Sequence, residues 1–303
     1  MRPGPGAPRR PGRALMSVAL LTVLGVVVPD ASRPPPEFAL VQLDGVEGLD
    51  ATDDVIWMLA LGSDARPGEP VMRSRSDAIQ LVGMNTVNQH AVTIGIPRDS
   101  YVDIRGFGRD KINAAMVYGG PEATAGAVTA LTGIELDYVF VASFPGLIRM
   151  VNGVGGVRAE VTYEMDGLNQ VFYPGPHQFS GVEALAFARI RYGLPGGDFD
   201  RSMDQGELLA GGLATLAGRM RQPGYFERAL GVFARYTDTN LSPVELYRLG
   251  RTVMTIDPAQ VRVCVLTGST GYAGGASVVF ADLAATRSLV ADVRNDATVD
   301  QTC

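Results

Sequence analysis

The chain of 303 residues is 46% hydrophobic and 19% charged, which is enough apolar material for a sizeable core and allows one large domain or two small ones. Its formal net charge of −6 argues against a general nucleic-acid binder, which needs a basic face to neutralise phosphates, and leaves room only for local basic clusters. With only His90 and His177, and neither Cys264 nor Cys303 in a CxxC or near a histidine, a zinc site or a Ser-His-Asp triad has no residues to stand on.

The first 13 residues carry Arg2, Arg9, Arg10 and Arg13 and no acid, and an uncharged run follows from Ala14 to Val28. A basic flank before an apolar run is a membrane-targeting pattern. Fifteen helical residues reach about 22 Å against a hydrocarbon core of about 30 Å. Either flanking residues complete an uncleaved anchor with its N-terminus inside, or the run is a signal-peptide core; both export the bulk of the chain. An oxidising compartment then favours a disulfide between Cys264 and Cys303 over two free thiols. From Asp30 to Thr52 the composition turns to proline and acid, including Pro34-Pro35-Pro36, which predicts a semi-rigid spacer without a packed core.

Val55 to Leu61 (VIWMLAL) is apolar without alternation, the pattern of a strand buried on both faces or of a short buried helix. Asp77 to Met84 and Ala91 to Ile96 are similar runs, and the latter stops at Pro97 to deliver Arg98 and Asp99. After Gly106, Gly108 and Lys111, the only lysine, the pattern becomes helical, with Pro121 at a helix start and Gly133 at its stop. Asp137 to Ala142 reads as a strand, Ser143 as the cap of a helix through Asn152, and Val157 to Val161 as another strand. Ser180 and Glu183 form a capping box on a helix that must end near Arg189 if Arg189 and Arg191 are to converge on one ligand. A long helix runs to about Arg221, a second capping box opens at Ser242, and a final strand and helix follow. Strands alternating with helices predict a layered α/β sheet.

Lys111 is followed by Ile112, so no Walker A loop exists, and Gly153, Gly155, Gly156 with Arg158 do not complete G-x-G-x-x-G. What remains is a set of acids, Asp64, Asp77, Asp99 and Asp198, each within a few residues of an arginine, Arg66, Arg75, Arg98 or Arg201. Arg189, Arg191 and Lys111 add to it. Arginine forks bind phosphate oxygens bidentately while one or two carboxylates hold a bridging Mg²⁺, so the alternation suits a magnesium-diphosphate ligand. A buried salt-bridge network would look the same in sequence.

The ordered motifs LGSDAR (Leu61 to Arg66), RSD (Arg75 to Asp77), IPRDSYV (Ile96 to Val102), DKINAA (Asp110 to Ala115), YGGP (Tyr118 to Pro121), GGV (Gly155 to Val157), ARIR (Ala188 to Arg191) and GDFDR (Gly197 to Arg201) resemble those of the LytR-CpsA-Psr proteins of bacterial envelopes. The resemblance implies an α/β fold, layered α-β-α with a central mixed sheet and a hydrophobic polyprenyl tunnel. It divides the chain into a basic cytoplasmic tail (1–13), a membrane anchor or signal peptide (14–29), a Pro-rich linker (30–52), a catalytic core (53–220) and a C-terminal part packed on the core (221–303). The implied location is the cell membrane, single-pass, with the main domain extracytoplasmic.

The implied activity is Mg-dependent transfer of a glycopolymer phosphate from a polyprenyl diphosphate carrier to a hydroxyl of a peptidoglycan acceptor. Carried onto matching positions, Asp64 and Asp77 are the metal acids for Mg²⁺ or Mn²⁺. Arg75, Arg98, Lys111, Arg189, Arg191, Arg201 and Gln205 are the diphosphate-binding residues, with Asp198 a further polar site residue. Arg98, Asp99 and Arg201 are the catalytic candidates, with Asp99 or a metal-adjacent acid as base. Three departures stand out: Asp204 replaces an expected second base ahead of Gln205, Tyr192 follows the paired arginines where histidine is common, and Asn152 precedes the GGV where aspartate is common. An acid at 204 facing the diphosphate would weaken its binding. The alternatives are a non-catalytic polyprenyl-phosphate-binding envelope protein and a polyprenyl diphosphate pyrophosphatase.

Overall fold

A computed structural model describes residues 35–46, 48–50, 54–66, 68–300 and 303. The chain separates into two units, residues 1–34 and 35–303, and the described structure belongs to the second. The basic tail, the anchor or signal peptide and the first five linker residues therefore lie outside the described residues. No helix among the described residues is long and apolar enough to cross a membrane.

In chain order the elements are β1 (Phe38–Gln42), β2 (Val55–Ser63), β3 (Ser76–Asn85), β4 (Ala91–Gly95), the hairpin β5 (Tyr101–Ile104) and β6 (Gly108–Lys111), α1 (Ala115–Thr132), β7 (Tyr138–Ser143), α2 (Phe144–Gly153) and β8 (Val157–Val161). Next come β9 (Met165–Gly167), β10 (Gln170–Phe172), β11 (Gly175–Phe179), α3 (Gly181–Phe187), α4 (Asp198–Arg219), α5 (Tyr225–Tyr236), β12 (Thr237–Thr239) and α6 (Pro243–Val253). The chain finishes with β13 (Val261–Val265), the hairpin β14 (Gly268–Ala273) and β15 (Ala276–Ala281), and α7 (Leu283–Val293).

Seven strands form one sheet in the order β12-β1-β7-β2-β3-β4-β13. The β12–β1, β7–β2 and β4–β13 pairs are parallel and the rest antiparallel, so the sheet is mixed. Apolar runs without alternation become strands here because both faces are covered. On one face Leu59, Ile79, Leu81 and Ile94 pack against Met116 and Val128 of α1 and Val290 and Val293 of α7. On the other, Ile56, Met84 and Tyr138 meet Leu246 and Leu249 of α6, with Leu230 and Phe233 of α5 alongside. The result is the expected α-β-α layering. A third cluster joins α2 and α3 to the short strands β8–β11, where Phe179 stacks on Phe187 at 4.9 Å between ring centroids.

Local signals act as their chemistry requires. Ser143 accepts from Gly146 N at 3.1 Å to start α2, and Ser180–Glu183 and Ser242–Glu245 close as reciprocal capping boxes on α3 and α6. α1 kinks at Gly120, whose φ of 75° only glycine adopts without strain, and helix resumes at Pro121 as its fixed φ favours.

Part of the segment read as a spacer behaves differently. Phe38, Ala39 and Leu40 are buried, and β1 lies within the sheet between β12 and β7. The apolar run Phe38 to Val41, hidden in a proline- and acid-rich surround, overrides composition because an inner strand satisfies both its backbone and its side chains. Residues beyond 220 likewise supply β12 and β13 to the sheet.

Cys264, fully buried in β13, is bonded to Cys303, with 5.4 Å between Cα atoms across 39 residues. In the chain-entropy account a loop of this length contributes at most about 4 kcal/mol. Cys303→Ser is expected to lower the denaturation midpoint under oxidising conditions and to have little effect under reducing ones, as urea titrations with and without reductant would reveal.

Candidate functional site: a charged mouth on an apolar cavity

The antiparallel path β2-β3-β4 brings the end of β2, the start of β3 and the exit of β4 to one edge. There Asp64 N donates to Arg75 O at 2.9 Å, and the β3–β4 register that sets Gln80 opposite Gly95 carries Asp77 opposite Arg98. Arg98 and Asp99 sit in the turn that Pro97 forces, as the sequence predicts. The turn is held from three sides: Ser100 N donates to Pro97 O (2.9 Å), Asn113 N to Arg98 O (3.2 Å) and Val279 N to Asp99 O (2.9 Å).

Arg98 Nη1 bonds Asp77 Oδ1 at 2.5 Å, and Lys111 Nζ lies 3.0 Å from Asp99 Oδ1. Lys111 ends β6 and precedes one 3₁₀ turn, with α1 beginning only at Ala115, so its charge acts through Asp99 and not through a helix dipole. Asp110 accepts from Tyr118 Oη at 2.6 Å, which secures the strand that presents Lys111. From α4, Asp198 and Arg201 pair one turn apart, and Arg201 is only 4% exposed. Gln205 Nε2 donates to Ala188 O (2.9 Å) and lies 3.4 Å from Asp77 O, bracing α4 against β3 and the exit of α3.

α3 ends at Phe187, but the chain does not extend there: Arg189 lies in a turn in which Arg189 N and Ile190 N both donate to Ala186 O at 3.0 Å, and Arg191 follows it. Arg189 lies over the Phe144 ring at 4.5 Å and lines the mouth with Asp77, whereas Arg191 turns toward exposed Tyr192, its Nη2 3.0 Å from that hydroxyl. Arg66 stands apart from these contacts, its backbone N bonded to Glu69.

Electrostatics give the site its character. Burial opposes the Arg98 charge, but Asp77, then Asp99 and Asp198, outweigh it and raise its pKa. For Arg201 burial wins over Asp198, and the Arg98 and Arg191 charges push the same way, lowering its pKa. Arg98 Nε, Arg201 Nε and Asp198 Oδ2 are buried with no hydrogen-bond partner among the described residues. Unpartnered buried donors are costly, so two crowded guanidinium groups with free N–H groups form a site prepared for an anion.

Burial and the neighbouring Asp77 push the Asp64 carboxyl up, a repulsion that a divalent cation would relieve. Hard oxygen donors suit Mg²⁺ or Mn²⁺, and Mg²⁺ commonly uses one or two carboxylates together with substrate phosphates. No group of three or more metal-binding side chains occurs among the described residues, and two carboxylates alone would leave the rest of a metal's coordination to a ligand or water.

Asp204 does not face this anion site. Although 4% exposed, its electrostatic neighbours are Asp200 and Glu207, on its own side of α4, and its Oδ2 has no partner. Burial first, then those two acids, raise its pKa from 3.8 to about 7. The unfolded chain releases that proton near 3.8 and the folded one near 7, so folding stability falls as pH rises between them and stays low above. Asp204→Asn is expected to raise stability at about pH 8 by on the order of 2–4 kcal/mol and to change little at about pH 4. Denaturation at the two pH values would measure it.

The mouth opens into a cavity of about 280 Å³ beneath α2 and α4. Its floor, on one side of the sheet, combines the small residues Ala60 and Gly62 of β2, Ala78 of β3 and Ala142 of β7 with Gln80 and Phe140. Leu147 and Val151 of α2 and Leu209 and Gly212 of α4 close it. Sequence reasoning missed this lining. The available signal was the small residue on one face near the ends of otherwise bulky strands, Ala60 and Gly62, Ala78 and Ala142, each of which leaves room above a sheet.

The LytR_cpsA_psr family model matches residues 36–294. The chain is 32% identical over 191 residues to the Bacillus anthracis polyisoprenyl-teichoic acid–peptidoglycan teichoic acid transferase TagU, covering 63% of this chain and 62% of that one. To the Bacillus subtilis transferase TagT it is 36% identical over 177 residues, 54% of each chain. The match thus spans less than two thirds of these relatives' lengths. Among solved structures, the LytR-CPS2A-psr family protein YwtF (TagT) with bound octaprenyl pyrophosphate lipid superposes with a TM-score of 0.63 at 25% identity, over 84% of this chain and 95% of that one.

Proposed function

Since the chain belongs to the LytR_cpsA_psr family, we propose that it transfers a glycopolymer phosphate from a polyprenyl diphosphate carrier to a hydroxyl of peptidoglycan. The observation that carries this is an apolar cavity lined at its mouth by Asp77 and Arg189, where Asp77 pairs with Arg98 and the Nε atoms of Arg98 and Arg201 are buried without partners, which suits an apolar chain ending in a diphosphate. Relatives named as teichoic acid transferases, and a structural relative with octaprenyl pyrophosphate bound, support the same ligand and reaction class. The disulfide supports an extracytoplasmic domain, which we place behind an N-terminal membrane anchor.

In the step we propose, the acceptor oxygen attacks the phosphorus attached to the glycopolymer. A new P–O bond forms, the bond to the bridging oxygen breaks, and its electron pair leaves with polyprenyl phosphate. The acceptor proton passes to the Asp99 carboxylate, which Lys111 holds at 3.0 Å. Arg98 and Arg201 donate to the diphosphate oxygens as charge shifts onto the leaving group, and Arg75, Arg189 and Arg191 add positive charge around the mouth. A Mg²⁺ or Mn²⁺ on Asp64 and Asp77 would supply further neutralisation of the diphosphate.

The test is incubation of the full chain with a lipid-diphosphate-linked glycan, Mg²⁺ and a peptidoglycan fragment, following polyprenyl phosphate. Release that requires the acceptor is the expected result. Release without acceptor would make the protein a pyrophosphatase, and no release a binding protein. Asp99→Asn is expected to slow the reaction by roughly 10²–10⁴-fold, while turnover within about threefold of the parent rules Asp99 out as the base.

A further inference from the structure

A second cavity of about 230 Å³ lies between α2 and α5, lined by Phe38, Gly153, Ala229 and Phe233 among others. Its lining and that of the first cavity have two side chains in common, Met150 and Val154. One turn apart, they form a strip on the α2 segment, with Leu147 and Val151 turned to the first cavity and Arg149 and Gly153 to the second. Met150 is unbranched and readily changes rotamer, so this shared wall can open without moving backbone.

At its outer end the second cavity reaches the surface beside Arg228 and Val232, the latter 54% exposed. Arg149 is held at the rim by Glu37, at 2.5 Å, and by the Tyr236 ring, at 4.2 Å. A long ligand exceeds the capacity of the first cavity. A cavity of about 150 Å³ accommodates benzene, or roughly 25 Å³ per carbon. At that density the first cavity's 280 Å³ holds roughly eleven carbons, about two isoprene units.

We propose that the distal isoprene units of the carrier pass Met150 and Val154, fill the second cavity and leave the protein between α2 and α5, making this strip the determinant of carrier length. The proposal rests on the polyprenyl diphosphate reading of the mouth and extends it to the far end of the ligand. Gly153 is one place to test the path: it lines the second cavity, and a Cβ added there meets nothing within 4 Å, so a larger side chain is tolerated.

The experiment is equilibrium binding of farnesyl, octaprenyl and decaprenyl diphosphate, with Mg²⁺, to the full chain in detergent. Affinity is expected to rise by roughly tenfold or more from farnesyl to octaprenyl, because units beyond the first cavity are also buried. Gly153→Phe, and independently Ala229→Phe, are expected to shrink that preference to within about twofold. An affinity already at its maximum with farnesyl diphosphate, or a preference unchanged in both variants, overturns the proposal while leaving the mouth's assignment intact. No binding at any length overturns that assignment and this proposal with it.

Discussion

Arg201→Ala is expected to lower kcat/KM for glycopolymer transfer by roughly 10²–10³-fold, the usual cost of losing one preorganised donor to a charged transition state. The reason lies in its setting: Arg201 is buried, crowded by Arg98 and Arg191, and has an unpartnered Nε, so its interactions are completed only by an anion. The substitution also leaves Asp198 without its cation, and stranding one member of a buried pair costs about 3 kcal/mol or more. The two effects separate in Arg201→Ala/Asp198→Asn, which is expected to recover most of the stability and none of the activity. Activity within about threefold of the parent in the single variant would remove Arg201 from the diphosphate site.

The charged mouth was legible in the sequence because strand ends and charged residues coincide. Pro97 cannot donate to a ladder, so Arg98 and Asp99 had to fall at the edge of β4. The spacing of Arg189 and Arg191 required α3 to stop first, which it does at Phe187. Other features depend on what packs against a residue, which sequence does not display. β1 was concealed because composition averaged its few apolar residues with the prolines around them, whereas burial is decided residue by residue. The orientation of Asp204 turns on its angular position around α4: Arg201 and Gln205 face the mouth, and Asp204 points to Asp200 and Glu207. An acid in a motif where a base is common therefore bears on stability and its pH dependence, not on the anion.

The cavity leads to a second large effect, with activity and stability changing in opposite directions. Three glycines lie along the part of α4 that packs on the domain, and two of them are required by contact. A Cβ at Gly206 would lie 2.5 Å from Val263 Cγ1, and one at Gly211 only 1.9 Å from Arg158 O. Gly212 has no such neighbour within 4 Å and lines the cavity, although a mid-helix glycine costs about 1 kcal/mol relative to alanine. Room in the cavity is what offsets that cost. Gly212→Phe is therefore expected to keep or raise the melting temperature, through helix propensity and burial of the ring, while occupying the space that an apolar chain would take. At about 0.8 kcal/mol per displaced CH₂, losing the room for a few carbons weakens long polyprenyl diphosphate binding by roughly a hundredfold or more. Gly212→Ala, which adds one methyl, is expected to fall between the parent and the phenylalanine variant in binding and to be at least as stable as the parent. A Gly212→Phe protein that melts no lower than the parent and still binds the long-chain carrier with parental affinity would show that the carrier does not enter this cavity.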